Sequence, residues 1–223
     1  MMDRNEIVKE IFLKIANRSR LDAQGNPRRC NVADDWLKKF FERTRGLAGL
    51  QFFAPIETSL SYATTVEPSD DFTAMRIVGK SGLMTYIVSQ FDVDPSQLSW
   101  LEIGCADGAN LITLQRKGFA DLSGIEINKK FQEAGERFDG VAFAEIRTSC
   151  DSIEHFVATC DRQYDVLFSC AVMQHINPQM NNVFDDLARI SKYYIVSVEA
   201  EDQCNQIHYP RNYQRVFERY GFK

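Results

Sequence analysis

The sequence predicts an α/β fold with a doubly wound, mainly parallel sheet that follows a helical amino-terminal extension. From residue 98 onward, short apolar runs alternate with segments in which apolar residues recur every three or four positions. Such alternation is typical of parallel strands joined by helices. The first apolar run ends directly at Gly104, as expected where a buried strand turns into a helix. The sheet is therefore expected to begin after residue 95.

Each element is predicted from its own pattern, with glycine and proline at the boundaries. Gly118 breaks the first helical pattern of the sheet domain, Asn177 and Pro178 open a later helix, and Gly221 ends the last one. The predicted strands cover residues 98–103, 121–126, 141–146, 164–169 and 193–198. The predicted helices cover residues 70–91, 108–117, 129–137, 151–160 and 212–220, with one more that begins at Pro178 and carries apolar residues up to Ile190.

Residues 1–94 are predicted to form a helical extension, and residues 95–223 the sheet domain. Apolar residues recur at helical spacing over residues 3–17, and again after Asp34, which is a candidate helix cap. The second of these helices carries Trp36, Leu37, Phe40 and Phe41. A surface with so many aromatic side chains must pack on another part of the protein. We expect the extension to close over the sheet domain as a lid.

The composition excludes several classes of protein. With 44% hydrophobic and 26% charged residues and no repeats, the chain is neither disordered nor fibrous. The net charge of -5 disfavours general nucleic-acid binding, although residues 1–50 carry 11 Lys and Arg against 7 Asp and Glu. No apolar run is long enough to span a membrane. The six cysteines form no Cys-x-x-Cys pair, so we expect reduced thiols, no metal site and a cytoplasmic location.

The turn after the first strand has the features of a nucleoside-binding loop. Gly104 and Gly108 allow the backbone to approach a ligand closely, and the helix that starts near Gly108 presents free amide groups. Glu126 ends the next strand about 20 residues later, where nucleotide-binding folds place a carboxylate on the ribose hydroxyls. The combination predicts a cofactor that contains a nucleoside.

Residues 102–108 (Glu-Ile-Gly-Cys-Ala-Asp-Gly) and 124–128 (Gly-Ile-Glu-Ile-Asn) resemble the first two motifs of class I S-adenosylmethionine-dependent methyltransferases. The resemblance implies a Rossmann-like fold and S-adenosylmethionine as the cofactor. The chain departs from the family's Gly-x-Gly-x-Gly at Ala106, a small residue that is expected to admit the cofactor. The cofactor-binding residues implied by these two motifs are Glu102, Gly104, Cys105, Ala106, Asp107, Gly108, Asn110, Glu126 and Ile127.

Two later motifs of the family have counterparts at the ends of the third and fourth strands. Asp151 and Ser152 resemble the acidic motif that binds adenine, with Asp151 as a helix cap the alternative interpretation. Ser169 and Cys170 stand in the fourth motif, and the Asp/Asn-Pro-Pro-Tyr signature of enzymes that methylate amino groups in nucleic acids is absent there. The resemblance therefore implies a small-molecule acceptor and no nucleic acid.

Three polar residues after strands four and five are candidates for catalysis. Methyl transfer needs a base only when the acceptor is a hydroxyl or a protonated amine. His175 is the obvious base, and Glu199 and His208 are further candidates, while a structural role or a polar surface loop is the alternative for each. Tyr209 and Arg211 lie on the same side.

A narrower resemblance concerns the acceptor. Residues 101–105, 124–130, 175–178 and 191–195 are similar to methylases associated with pseudaminic acid and bacterial surface-glycan synthesis, which implies a sugar or sugar-nucleotide acceptor. The family usually adds a sixth and a seventh strand, for which the sequence has no residues, so we expect either a cut chain or a smaller sheet.

Two other classes of function stay open. One is an NAD-dependent oxidoreductase, because Gly104, Ala106 and Ala109 also fit the spacing of a dinucleotide-binding loop. The other is a methyltransferase-like module that binds a partner without catalysis. The sequence leaves the oligomeric state open, with a homodimer as one alternative.

Overall fold

The computed structural model describes residues 82–201 and 208–223, together with Thr64 and Pro68. The helices predicted over residues 3–17 and after Asp34 lie outside the described residues. Residues 82–88 are helical, in agreement with the end of the helix predicted over residues 70–91. Among the described residues, no helix has both the length and the apolar character needed to cross a membrane.

Five parallel strands form the sheet, in the order β3-β2-β1-β4-β5. Trp100 of the central strand lies opposite Leu122 on one side and Val166 on the other. Because the strand order reverses between β1 and β4, a crevice opens there at the carboxyl ends of the strands. The strands are β1 (Trp100–Ile103), β2 (Leu122–Ile125), β3 (Arg147–Ser149), β4 (Tyr164–Cys170) and β5 (Ser191–Val198).

Helices join successive strands and cover both faces of the sheet. The α-helices of the sheet domain are α1 (Ala109–Gln115), α2 (Lys129–Ala144), α3 (Ile153–Thr159), α4 (Val183–Ile190) and α5 (Tyr213–Glu218). Short 3-10 turns at Pro95–Gln97, Met173–His175 and Pro178–Met180 complete the described elements. The alternation of strands and helices predicted from residue 98 onward is confirmed.

Each face of the sheet carries its own apolar core, because side chains alternate between the faces along each strand. Trp100 points to the face covered by residues 82–91, α1 and the end of α2, where it packs with Met84 and Phe119. Leu101, the next residue, packs on the other face with residues of α3, α4 and α5. The domain is therefore a three-layer sandwich, which is the doubly wound architecture that the sequence predicts.

The third strand was predicted in the wrong place. The apolar residues over 141–144 belong to α2, and β3 begins only at Arg147. Asp139 has non-helical dihedral angles (φ -150°, ψ 71°) and accepts a hydrogen bond from the Ala142 amide, so a new helical turn starts there. A short apolar run can be a strand or a buried helical turn, and periodicity does not separate the two. Burial of Phe143 against the rest of the domain decides for the helix.

The helix predicted from Pro178 also begins later than expected. The Asn177 side chain accepts a hydrogen bond from the Gln179 amide at 3.0 Å and caps a 3-10 turn. The α-helix itself starts at Val183. The turn keeps the chain close to the carboxyl end of β4 before it leaves along α4.

Candidate active site

The turn after β1 has an unusual backbone. Gly104, Ala106 and Gly108 have φ angles of 67°, 49° and 71°, in the left-handed region that favours glycine. The Cys105 amide donates to the Ile125 carbonyl and the Gly108 amide to the Cys105 carbonyl, both at 2.9 Å. The middle position, where the resemblance expects glycine, thus needs a left-handed conformation, and alanine holds it at a cost of about 1–2 kcal/mol.

Close packing on two sides fixes this turn. A Cβ atom on Gly104 would lie 2.4 Å from Cγ2 of Val172, in the loop after β4. A Cβ atom on Gly135 of α2 would lie 2.5 Å from the Asp107 carbonyl oxygen. The turn therefore lies between α2 and the loop after β4. Val172 and Gly135 were not among the predicted site residues, because their roles come from packing between segments far apart in the sequence.

Glu126 lies directly against the turn. Its side chain is only 9% exposed, and its two carboxylate oxygens accept hydrogen bonds from the Ala106 amide at 2.9 Å and the Asn128 amide at 2.8 Å. Each carboxylate oxygen has capacity for more than one hydrogen bond. The carboxylate thus fixes the turn and remains chemically suited to accept from the two hydroxyls of a ribose.

Two further carboxyl groups make the site strongly acidic. Glu102 and Asp107 are 1% and 0% exposed, with Glu102 accepting from the Asn110 side-chain amide at 2.5 Å. Burial raises the pKa of the Cys105 thiol well above its ordinary value, and the negative charges of Glu102, Glu126 and Asp107 raise it further. The negative charges of three carboxyl groups therefore combine at the turn. Such a turn is suited to bind a ligand that carries a positive charge.

Asp151 lies beside Glu126, because its amide donates to the Glu126 carbonyl at 3.2 Å. Its carboxylate is 2.6 Å from Nδ1 of His155. The alternative that Asp151 caps α3 is wrong, since the Ser152 hydroxyl accepts from the His155 amide and is the cap. Ile127 lies at the same edge, where its carbonyl faces the Cys150 sulfur at 3.9 Å.

Ser169 and Cys170 end β4 and point in different directions. The Ser169 side chain is fully buried, and its hydroxyl donates to the Glu199 carboxylate at 2.6 Å. Cys170 packs against the core on the opposite face of the sheet from Leu101. The structure therefore ties Ser169 to the end of β5.

The predicted histidines His175 and His208 come together. Their ring centroids are 4.5 Å apart, with an angle of 51° between the rings. Burial lowers the pKa of His208, and the charge that His175 carries when protonated lowers it further. An imidazole with a lowered pKa is neutral at pH 7 and able to accept a proton.

Glu199 makes contacts that the sequence did not reveal. Its carboxylate accepts hydrogen bonds from Ser169 and from three backbone amides of the loop after β4. Burial raises the pKa of this carboxyl above its ordinary value, while those hydrogen bonds oppose the rise. Arg211 is similarly engaged, since it donates to the Ile176 carbonyl at 2.5 Å and to the Asn181 side chain at 3.1 Å.

Comparison with known families agrees with this geometry. Residues 101–193 match the family model described as a methyltransferase domain. The fold is the Rossmann-like methyltransferase fold. The description of this family model agrees with the predicted enzyme class, an S-adenosylmethionine-dependent methyltransferase. The matched part of the chain runs from β1 into β5 and includes the turn, Glu126 and Asp151.

Solved structures similar to this chain are distant from it in sequence. WbdD, solved in complex with a kinase inhibitor, is 17% identical over 74% of this chain and 42% of its own, with a TM-score of 0.54. TehB from Haemophilus influenzae is 16% identical over 61% and 49%, with a TM-score of 0.49. At this identity the likeness shows the fold alone. The chain spans less than half the length of these proteins, and no curated protein matches it.

Proposed function

We propose that this chain transfers the methyl group of S-adenosylmethionine to a small-molecule acceptor. The acidic turn carries the proposal. Glu102, Asp107 and Glu126 surround a backbone turn whose two glycines, Gly104 and Gly108, have left-handed conformations. S-adenosylmethionine carries a positive sulfonium and a positive ammonium group, and carboxylates stabilise cations at short range. The site and the cofactor are therefore complementary in charge.

The same acidity argues against an NAD-dependent oxidoreductase. A dinucleotide places its diphosphate against the glycine-rich turn. Buried carboxylates such as Asp107 and Glu102 would repel that diphosphate in a region where screening by water is weak. Charge therefore favours the sulfonium cofactor, although the spacing of Gly104, Ala106 and Ala109 fits both.

The residues of the crevice divide the chemistry between them. When bound, S-adenosylmethionine supplies a methyl carbon that the acceptor attacks as the bond to sulfur breaks. Glu126 is proposed to hold the ribose hydroxyls and Asp151 the adenine amino group, as the resemblance implies. His208, whose pKa is lowered, or its neighbour His175 is proposed to take the proton that the acceptor releases.

The acceptor is proposed to be a sugar or a sugar nucleotide of surface-glycan synthesis. The motif resemblance at residues 124–130 and 175–178 supports this, and the two imidazoles offer hydrogen bonds suited to hydroxyl groups. The location is proposed to be the cytoplasm, since Cys105, Cys150 and Cys160 are free thiols.

Incubation with methyl-labelled S-adenosylmethionine tests the proposed function. We expect label to appear in the small-molecule fraction of a metabolite extract or in a panel of sugar nucleotides. Label confined to macromolecules would overturn the choice of acceptor. Binding of S-adenosylhomocysteine without any transfer would favour the non-catalytic binding module.

We also propose that residues 1–94 act as a lid over the crevice. A truncation at residue 94 is a poor test, because Met84 and Ile87 are buried in the core of the sheet domain. Trp36→Ala and Arg28→Ala are better, and each is expected to raise the acceptor KM or lower turnover about tenfold by loosening closure. Steady-state kinetics at saturating cofactor, with the acceptor that the labelled screen yields, measures both constants. If both variants are folded and have the parental acceptor KM and turnover, the proposal that residues 1–94 act as a lid is contradicted.

A further inference from the structure

The Glu199 carboxylate, immediately after β5, holds the loop after β4 by four hydrogen bonds. One oxygen accepts from the Ser169 hydroxyl at 2.6 Å and from the Val172 and Met173 amides at 3.2 Å each. The other oxygen accepts from the Gln174 amide at 3.2 Å. Hydrogen bonds to an ionised carboxylate are among the stronger ones in proteins. Residues 171–175, called the β4 loop below, are thus fastened to the end of the neighbouring strand.

A residue of the β4 loop itself, Gln174, forms further hydrogen bonds that hold the loop in place. The Gln174 side chain accepts from the Ala200 amide, and the Gln174 carbonyl accepts from the Tyr209 amide, both at 2.8 Å. Ala171 has a φ angle of 60°, a left-handed conformation that costs a non-glycine residue about 1–2 kcal/mol. Such a conformation persists only where surrounding contacts impose it. The hydrogen bonds of Glu199 are contacts of this kind.

The two ends of the β4 loop reach the two halves of the site. Val172 packs so closely on the turn after β1 that Gly104 has no room for a Cβ atom. His175 ends the 3-10 turn Met173–His175 and faces the His208 ring. One short loop therefore contacts both the cofactor turn and the imidazole pair.

We propose that Glu199 is a positioning residue that acts on methyl transfer through the β4 loop, and is not the base that takes the acceptor's proton. This inference rests on the proposed function for its catalytic meaning. All four hydrogen bonds of the carboxylate go to the β4 loop or to the strand before it, so its loss would release Val172 and His175 together.

Histidine titration by NMR tests the proposal without an acceptor. The chain has three histidines, and His155 lies away from the β4 loop, on α3, where it serves as an internal reference. Glu199→Ala is expected to raise the pKa of His208 towards its ordinary value, because burial and His175 are the causes of its lowering. Glu199→Gln, which keeps the shape and one acceptor oxygen, is expected to shift it less. The NMR signals of His155 should match those of the parent in both variants.

Calorimetry with S-adenosylhomocysteine gives the second measurement. Release of Val172 is expected to raise the dissociation constant about five- to tenfold in Glu199→Ala, and less in Glu199→Gln. Glu201→Gln is the matched control, because Glu201 makes its hydrogen bond to the Tyr213 amide of α5 and not to the β4 loop. Both measurements are expected to be parental in this control.

A parental His208 pKa together with parental affinity in both Glu199 variants would overturn the positioning role. Thermal unfolding establishes whether each variant is folded. If Glu199→Ala does not fold, the test uses Glu199→Gln, which has nearly the same shape as the parent residue. A different outcome is that Glu199→Gln loses all methyl transfer while the His208 pKa and the affinity for S-adenosylhomocysteine stay parental. That result would assign Glu199 as the base and would also overturn the proposal. If the parent chain does not bind S-adenosylhomocysteine, the proposed function fails, while the histidine titration still decides the positioning role.

Discussion

Replacing Glu126 with alanine is expected to weaken the binding of S-adenosylhomocysteine by about 1–3 kcal/mol, roughly a five- to 150-fold rise in the dissociation constant. Two losses add up. The proposed hydrogen bonds from the ribose hydroxyls disappear, and the turn loses the acceptor that holds the Ala106 and Asn128 amides. Isothermal calorimetry measures the change directly.

Two variants separate these losses. Glu126→Gln keeps an acceptor oxygen for the turn but removes the charge, so it is expected to show an intermediate dissociation constant. Glu133→Ala on the exposed side of α2 removes a carboxylate that pairs with Lys129, and it is expected to bind like the parent. An unchanged dissociation constant in Glu126→Ala would rule out the ribose assignment.

Gly104→Val is expected to abolish binding of S-adenosylhomocysteine and to lower the free energy of unfolding by about 2–5 kcal/mol. The φ angle of 67° strains any side chain, and the new Cβ atom would lie 2.4 Å from Val172. The sequence alone predicts loss of binding in a protein that still folds. The structure adds the destabilisation, because the same glycine packs the β4 loop. Calorimetry and chemical unfolding measure the two effects.

Gly118→Val is the matched control for backbone strain. Gly118 has a φ angle of 90°, and a Cβ atom there would meet no atom within 4 Å. We expect a loss of about 1–2 kcal/mol in stability from strain alone, with parental binding. If Gly104→Val matched this control in both stability and affinity, the close packing of Val172 on Gly104 would contribute neither to folding nor to binding.

Local signals in the sequence were enough to predict the fold and to single out the turn after β1 and Glu126, which the structure brings together. Glu126 was predicted from its place at the end of a strand, after the turn at Gly104, and both features depend on neighbours in the chain. Val172, Gln174 and Gly135 were not found, because their roles come from contacts between segments far apart in the sequence.

The misplaced third strand and the unforeseen contacts of Glu199 have a related cause. The run at residues 141–144 is apolar in either conformation, and only the packing of Phe143 in the folded domain makes it helical. Glu199 has the chemistry of a base when viewed alone. Its four donors, 25 to 30 residues earlier in the chain, became visible only when β4 and β5 were placed side by side.

Parallel calorimetric titrations with S-adenosylhomocysteine and with NADH test the central claim, which is that the acidic turn after β1 binds S-adenosylmethionine and its product, both of which carry a positive ammonium group. The charges of Glu102, Asp107 and Glu126 predict saturable binding of S-adenosylhomocysteine at one site per chain and no binding of NADH. Saturable binding of NADH without binding of S-adenosylhomocysteine would contradict the claim, and would assign the turn to a dinucleotide.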